Sequence, residues 1–175
     1  MDDDLADRLI AVLAAQGETL AVAESCTGGL LGGAITARPG ASDVFLGGVT
    51  AYHNGIKRRL LGVSRESLDE QGAVSGVVAR EMARGVRDIL DATWGVSVTG
   101  VAGPGGGTED TPVGTVYIGV AHAGEWGSGT TSSGVEHYAF DGNRAAVRGA
   151  TVDQALADVL DAVDVMAGDS TQAKP

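Results

Sequence analysis

The chain has 175 residues, 43% hydrophobic and 20% charged, and carries a formal net charge of −11. Length and composition suit one globular domain with a core large enough to fold without staples, and exclude a disordered chain. The anionic surface argues against nucleic acid as a partner, the lone cysteine, Cys26, excludes an intrachain disulfide, and no apolar run approaches the roughly 20 residues of a membrane span.

From Asp4 to Ala15, Leu5, Leu9, Ile10, Leu13 and Ala14 have the spacing of an amphipathic helix, which Gly17 ends. The opening MDDDLADRLI is acidic where a signal peptide is positive, so a cytoplasmic protein is expected. Thr19 to Ala23 reads as a buried strand, and Leu30 to Ala37 as a helix broken by Pro39-Gly40. Phe45 to Tyr52 is a second strand, Asn54 to Leu61 a short helix closed by Gly62, and Ser64, Glu66 and Ser67 mark a capped turn. Ser75 begins a helix through Leu90, with Val78, Met82, Ala83, Val86 and Ile89 at helical spacing. Gly95 to Thr99 is a strand running into the loop Gly100 to Thr111, and Val113 to Ala121 and Glu136 to Phe140 are further strands. The Gly- and Ser-rich stretch 124–134 reads as a hairpin connection or loop, and the last helix runs from Asn143 to Met166. Strands alternating with helices predict one three-layer α/β/α domain with a mixed sheet over residues 1–168, followed by a disordered polar tail at 169–175.

Lysine occurs only at Lys57 and Lys174, and every other basic residue apart from histidine is arginine. With its scattered aspartates, the chain has a composition suited to high salt, which screens self-repulsion. Arginine keeps its proton, whereas a buried lysine can lose one and act as a base. Lys57 is therefore a candidate for proton chemistry, against the plainer reading of a surface ion pair.

Three segments combine special backbone with reactive groups. Between a strand and a helix, Glu24-Ser25-Cys26-Thr27-Gly28-Gly29 would aim unpaired N–H groups at an anion or at the oxyanion of an attacked amide, with Ser25 presenting its hydroxyl. Alternatively, Ser25 or Thr27 is simply a helix cap. In Tyr52-His53-Asn54-Gly55-Ile56-Lys57, a partly desolvated Lys57 could accept the serine proton, and Tyr52 could orient it or pass a proton. Alternatively, Tyr52 is a half-buried strand residue. The glycine-rich loop from Gly100 through Ala102, Gly103, Gly105 and Gly106 lets backbone approach a ligand, or is merely a flexible turn. It matches neither the dinucleotide fingerprint nor the P-loop.

The set AESCTGG, PGAS with a following F-x-G-G, Y-x-x-x-x-K, LGV, GAVS and TGVAGPGGGT with PVGTV resembles the CinA C-terminal domain family, in that family's order from about Asp4 to Met166. Stand-alone members of the family are nicotinamide-nucleotide amidases. The resemblance implies a homo-oligomeric α/β enzyme that hydrolyses nicotinamide mononucleotide to nicotinate mononucleotide and ammonia, with no metal or organic cofactor. It implies Ser25 as nucleophile, Lys57 as base and Tyr52 as assisting hydroxyl, with Thr27, Gly28 and Gly29 around the oxyanion and Gly100, Ala102, Gly103 and Gly105 beside the substrate. The family often has Gly-Asp-Arg before its last helix; here Asp141-Gly142-Asn143-Arg144 keeps the arginine, which the resemblance makes a phosphate contact. Arg144 and Arg148 could equally be ordinary helix-surface residues. Larger CinA proteins carry a further N-terminal domain whose activity is not expected here.

Cys26 is the rival nucleophile, since a thiol at a helix mouth has a lowered pKa; as a small apolar residue it would instead face the core. His53, His122 and His137 are too widely spaced to predict a metal site, and Trp94 and Trp126 are too isolated for a stacking surface. Glu24 could orient its neighbours or cap a backbone amide. Two other classes stay open: a serine amidase for another small amide, and a non-catalytic nucleotide-binding module.

Overall fold

In the computed structural model, residues 3–124 and 133–172 are described. One five-stranded sheet, in the order β2-β1-β3-β4-β5, organises them. The strands are β1 (Leu20–Glu24), β2 (Phe45–Thr50), β3 (Trp94–Gly100), β4 (Thr115–His122) and β5 (Ser133–Ala139). β1 pairs in parallel with both β2 and β3, while β3–β4 and β4–β5 are antiparallel, so the sheet is mixed. The stretch 124–134 thus connects two hairpin partners, although residues 125–132 lie outside the described ones.

Alternation along β1 assigns the two faces. Leu20 and Val22 join one cluster with α1 (Asp3–Gln16), α2 (Leu30–Thr36) and α7 (Arg144–Gln172); Ala21 and Ala23 join another with α4 (Asn54–Leu61) and α6 (Gly76–Leu90). Three layers result, as the sequence predicts. On the second face small residues permit close approach: a Cβ at Gly95 would stand 2.2 Å from the Ala83 carbonyl oxygen, and one at Gly119 2.7 Å from that of Ala79. These contacts seat α6 directly on β3 and β4.

Several boundaries differ from the sequence reading. The single-turn helix α3 (Ala41–Val44) has too few residues to show a period, and α5 (Arg65–Glu70) extends the predicted capped turn into a helix with Ser64 as N-cap. β4 begins at Thr115 rather than Val113, because the Gly114 N–H donates to the Val101 carbonyl in the preceding loop. α7 stays helical to Gln172, six residues past the predicted end, so residues 169–172 of the predicted tail are helical; residues 173–175 lie outside the described ones. No helix among the described residues is long and apolar enough to cross a membrane.

Candidate active site

Because β1, β2 and β3 run in parallel, their carboxyl ends share one edge of the sheet, the usual place for ligands in such folds. Ser25 follows β1, Ala51 and Tyr52 follow β2, and Val101 and Ala102 follow β3. Of these, Ser25, Tyr52 and Ala102, together with residues of α4 and the start of α7, border a cavity of about 230 Å³ lined by Ser25, Cys26, Tyr52, Asn54, Lys57 and Arg144 among others.

At its floor, Lys57 Nζ lies 2.9 Å from Ser25 Oγ and donates to the Ala51 carbonyl at 2.7 Å. Lys57 is 1% exposed, although its helix neighbours Arg58 and Arg59 face solvent. No carboxylate among the described residues pairs with it, and burial lowers its pKa from 10.5 to about 8. A neutral amine that spends one N–H on Ala51 keeps its lone pair for the serine proton. The Ser25 N–H donates to the Val98 carbonyl at 3.0 Å, which fixes the backbone of the nucleophile candidate against β3.

The turn after β1 departs from the sequence expectation. Neither Ser25 nor Thr27 caps α2; the N-cap is Gly29, with φ 101°, preceded by Gly28 at φ 61°. Both values lie in the left-handed region that glycine enters without strain. The Glu24 carboxylate, 2% exposed, takes the capping role instead. It accepts from the N–H groups of Gly29 at 2.9 Å, Leu31 at 3.0 Å and Gly32 at 2.9 Å. The Gly29 N–H, which the resemblance places at the oxyanion, thus donates to Glu24 in this structure. Thr27 is fully buried, and its Oγ1 has no hydrogen-bond partner among the described residues.

Glu24→Gln should lower stability by about 2 kcal/mol, because a neutral amide loses charge-assisted bonds and turns an NH2 toward N–H donors. For a domain of this size that is roughly 4–8 °C in Tm, read by thermal melting. A Tm within 1 °C of wild type would remove Glu24 from this role.

Tyr52 borders the same cavity as Lys57 but makes no hydrogen bond to it among the described residues. Its side chain is 63% exposed, and its hydroxyl accepts from Arg144 Nη2 at 3.0 Å. Arg144 Nη1 donates to the Gly103 carbonyl at 2.7 Å, so this arginine bridges the ends of two connections rather than lying free on the helix surface. Gly100 and Ala102 line the cavity, whereas Gly103 and Gly105 do not. Cys26 is 5% exposed, and burial pushes its thiol up to about 11. His53 caps α4 by accepting the Gly55 N–H at 3.0 Å. Among the described residues no three His, Cys, Asp or Glu side chains are grouped to hold a metal ion.

The sequence reading gives no role to Asn54, Ala73, Val74 and Thr99 in the cavity wall, nor to the Ala51 carbonyl beneath Lys57. Asn54 lies within the Tyr52–Lys57 segment, and Ala73 and Val74 within GAVS, so their positions were marked although their role was not.

Residues 2–163 match the CinA C-terminal domain family. A CinA-like protein of Synechococcus sp. is 60% identical over 120 residues, which are 69% of this chain and 28% of that protein. One of Parasynechococcus marenigrum is 47% identical over 155 residues, 89% of this chain and 36% of that protein. The chain thus spans about a third of the length of these curated relatives. Among solved structures, the competence/damage inducible protein CihA from Agrobacterium tumefaciens superposes with a TM-score of 0.85 at 38% identity, covering 93% of this chain and 94% of that one. A CinA superfamily protein from Enterobacter cloacae gives 0.85 at 32% identity, covering 92% and 91%.

Proposed function

Because the chain belongs to the CinA C-terminal domain family, we propose that it is a Ser–Lys amidase that converts nicotinamide mononucleotide to nicotinate mononucleotide and ammonia. The observation that carries this reading is the buried, carboxylate-free Lys57 with Nζ 2.9 Å from Ser25 Oγ in a solvent-reachable cavity. A lysine used only for its charge would be found with an acid or in water. The choice of substrate rests on the family resemblance. It is supported by Asn54 and the exposed Tyr52 ring at the cavity wall, and by Arg144, whose charge suits a phosphate.

Neutral Lys57 takes the Ser25 proton as Oγ bonds to the carboxamide carbon, and the carbonyl electron pair moves onto oxygen. With Gly29 committed to Glu24, the oxyanion falls to other backbone N–H groups around the turn after Ser25. Lysinium returns its proton to the departing nitrogen, and ammonia leaves an acyl-Ser25. Water then attacks the ester, giving Lys57 a proton that passes to the Ser25 oxygen as the acid departs. The sum is amide plus water to acid plus ammonia. In this reading Tyr52 assists only after its hydroxyl has left Arg144, which an incoming phosphate would bring about. The resemblance further implies a homo-oligomer acting in the cytoplasm.

The test is ammonia release from nicotinamide mononucleotide by the purified chain in high salt, with nicotinate mononucleotide identified as product. No release from this substrate, but release from another small amide, replaces the substrate. Nucleotide-dependent thermal stabilisation without turnover of any amide replaces the enzyme with a binding module.

A further inference from the structure

Of the side chains with oxygen or nitrogen that line the cavity, all but one are engaged within the protein. Ser25 and Lys57 share a hydrogen bond, as do Tyr52 and Arg144, and the Thr99 hydroxyl donates to the Ala73 carbonyl at 2.7 Å. The exception is Asn54, whose side chain has no hydrogen-bond partner among the described residues. Its carboxamide offers a donor at one end and an acceptor at the other.

No local duty accounts for it. At a helix start asparagine ordinarily serves as the N-cap, and inside a helix it is among the weaker formers. In α4 the cap is His53, which accepts the Gly55 N–H, so Asn54 stands at the first helical position with its side chain unused.

Its position relative to the Ser25–Lys57 pair follows from helix geometry. Helical side chains lean toward the amino end of their helix. Lys57 does so far enough that Nζ reaches the Ala51 carbonyl, before α4 begins. The amine and the Ser25 hydroxyl it meets are therefore level with the first turn of α4, where Asn54 lies three residues ahead of Lys57 on the same face. All three border one cavity of about 230 Å³, below the roughly 300–1,000 Å³ that takes a drug-sized ligand whole. A carboxamide on Ser25 Oγ thus comes beside the free Asn54 group.

The two ends of that carboxamide need different partners. Its oxygen turns to backbone N–H groups as charge develops on it, and its nitrogen must receive a proton from Lys57. The nitrogen also carries N–H groups of its own, for which Asn54 supplies a free acceptor. A bond there fixes the rotation of the NH2 group while the proton arrives, and it strengthens as the nitrogen becomes positively charged.

We infer that Asn54 is a specificity-determining residue of this site: its side-chain oxygen accepts an N–H of the substrate's NH2 group, which favours primary carboxamides over esters of the same acid. The inference rests on the amidase reading, and its test separates the two. The measurement is kcat/KM for nicotinamide mononucleotide and for the methyl ester of nicotinate mononucleotide, which has no N–H at the bond to be cut. Wild type, Asn54→Ala and Asn54→Asp are compared. Alanine and aspartate both suit the first turn of a helix, and thermal melts check that the variants fold.

In Asn54→Ala, kcat/KM for the amide should fall about tenfold, the worth of one hydrogen bond, while that for the ester stays within about twofold. Asn54→Asp keeps an acceptor oxygen, so its amide-to-ester ratio should stay within about threefold of wild type, even where the new charge alters both rates together. A wild type inert toward the amide overturns the amidase reading and this assignment with it. An active wild type whose alanine variant loses both substrates equally, or neither, overturns the Asn54 assignment alone. So does an aspartate variant whose ratio falls as far as that of alanine, since the acceptor oxygen would then not be the contact.

Discussion

Ser25→Ala is expected to reduce ammonia release from nicotinamide mononucleotide by on the order of 10⁴-fold or more, while Cys26→Ala keeps turnover within a few-fold of wild type. The two residues are adjacent, both border the cavity and both are nearly buried, so exposure does not separate them. Their protons do. The Ser25 hydroxyl is 2.9 Å from an amine that can accept its proton, whereas burial holds the Cys26 thiol up at about 11. At neutral pH about one thiol in 10⁴ would then be ionised, and only the thiolate attacks. Removing the serine oxygen leaves the Ser25 N–H on Val98 and should leave the melting temperature near that of wild type. The reverse pattern, an active Ser25→Ala and a dead Cys26→Ala, would transfer the nucleophile to the thiol.

How far the sequence discloses this site depends on the range of each interaction. The strands and long helices were legible because period-2 and period-3.6 patterns are local: Leu20 and Val22 against Ala21 and Ala23 give the two faces of the sheet from four consecutive residues. Lys57 was legible by composition, as one of only two lysines in an arginine-using chain, although the helix pattern around it says nothing of its burial. The single-turn α3 was not legible, since one turn has no period.

Choices among competing partners were not legible either. Glu24 is only one residue from Ser25, yet which of the nearby N–H groups it takes follows from the path of the turn. Nothing in the local sequence says that the Gly29 N–H turns to Glu24. Tyr52 ends the strand just before the helix that carries Lys57, which set it near the lysine, while its hydroxyl found an arginine 92 residues away. Arg148 is the same case at greater range: nothing local distinguishes it from a surface residue, and its partners are the Cys26 and Thr27 carbonyls, which only the tertiary fold brings to it. Ser25 and Lys57, which the structure brings within 2.9 Å of each other, were thus marked by type and spacing, and the contacts that hold them in place were not.

Lys57→Met tests the other half of the pair, and its effects on rate and on stability should have opposite signs. The thioether fills the lysine's space but accepts no proton, so kcat should fall by roughly 10³- to 10⁴-fold. In wild type, kcat/KM should rise about tenfold per pH unit up to about 8, where Lys57 loses its proton, and level off above it. The same lowered pKa makes stability depend on pH. Between about 8 and 10.5 the unfolded chain holds the lysine proton and the folded chain does not, so stability rises with pH across that window. The burial penalty, up to about 3 kcal/mol, is fully present below pH 8. Methionine removes that penalty while giving up the bond to the Ala51 carbonyl, worth about 1 kcal/mol. The variant should therefore melt above wild type at pH 7, and the gap should shrink toward pH 10.5. Melting both proteins across this range isolates Lys57, because every group they share cancels in the difference. A constant gap, or a wild-type rate that is flat from pH 6 to 9, would mean that Lys57 does not titrate in this window and is not the base.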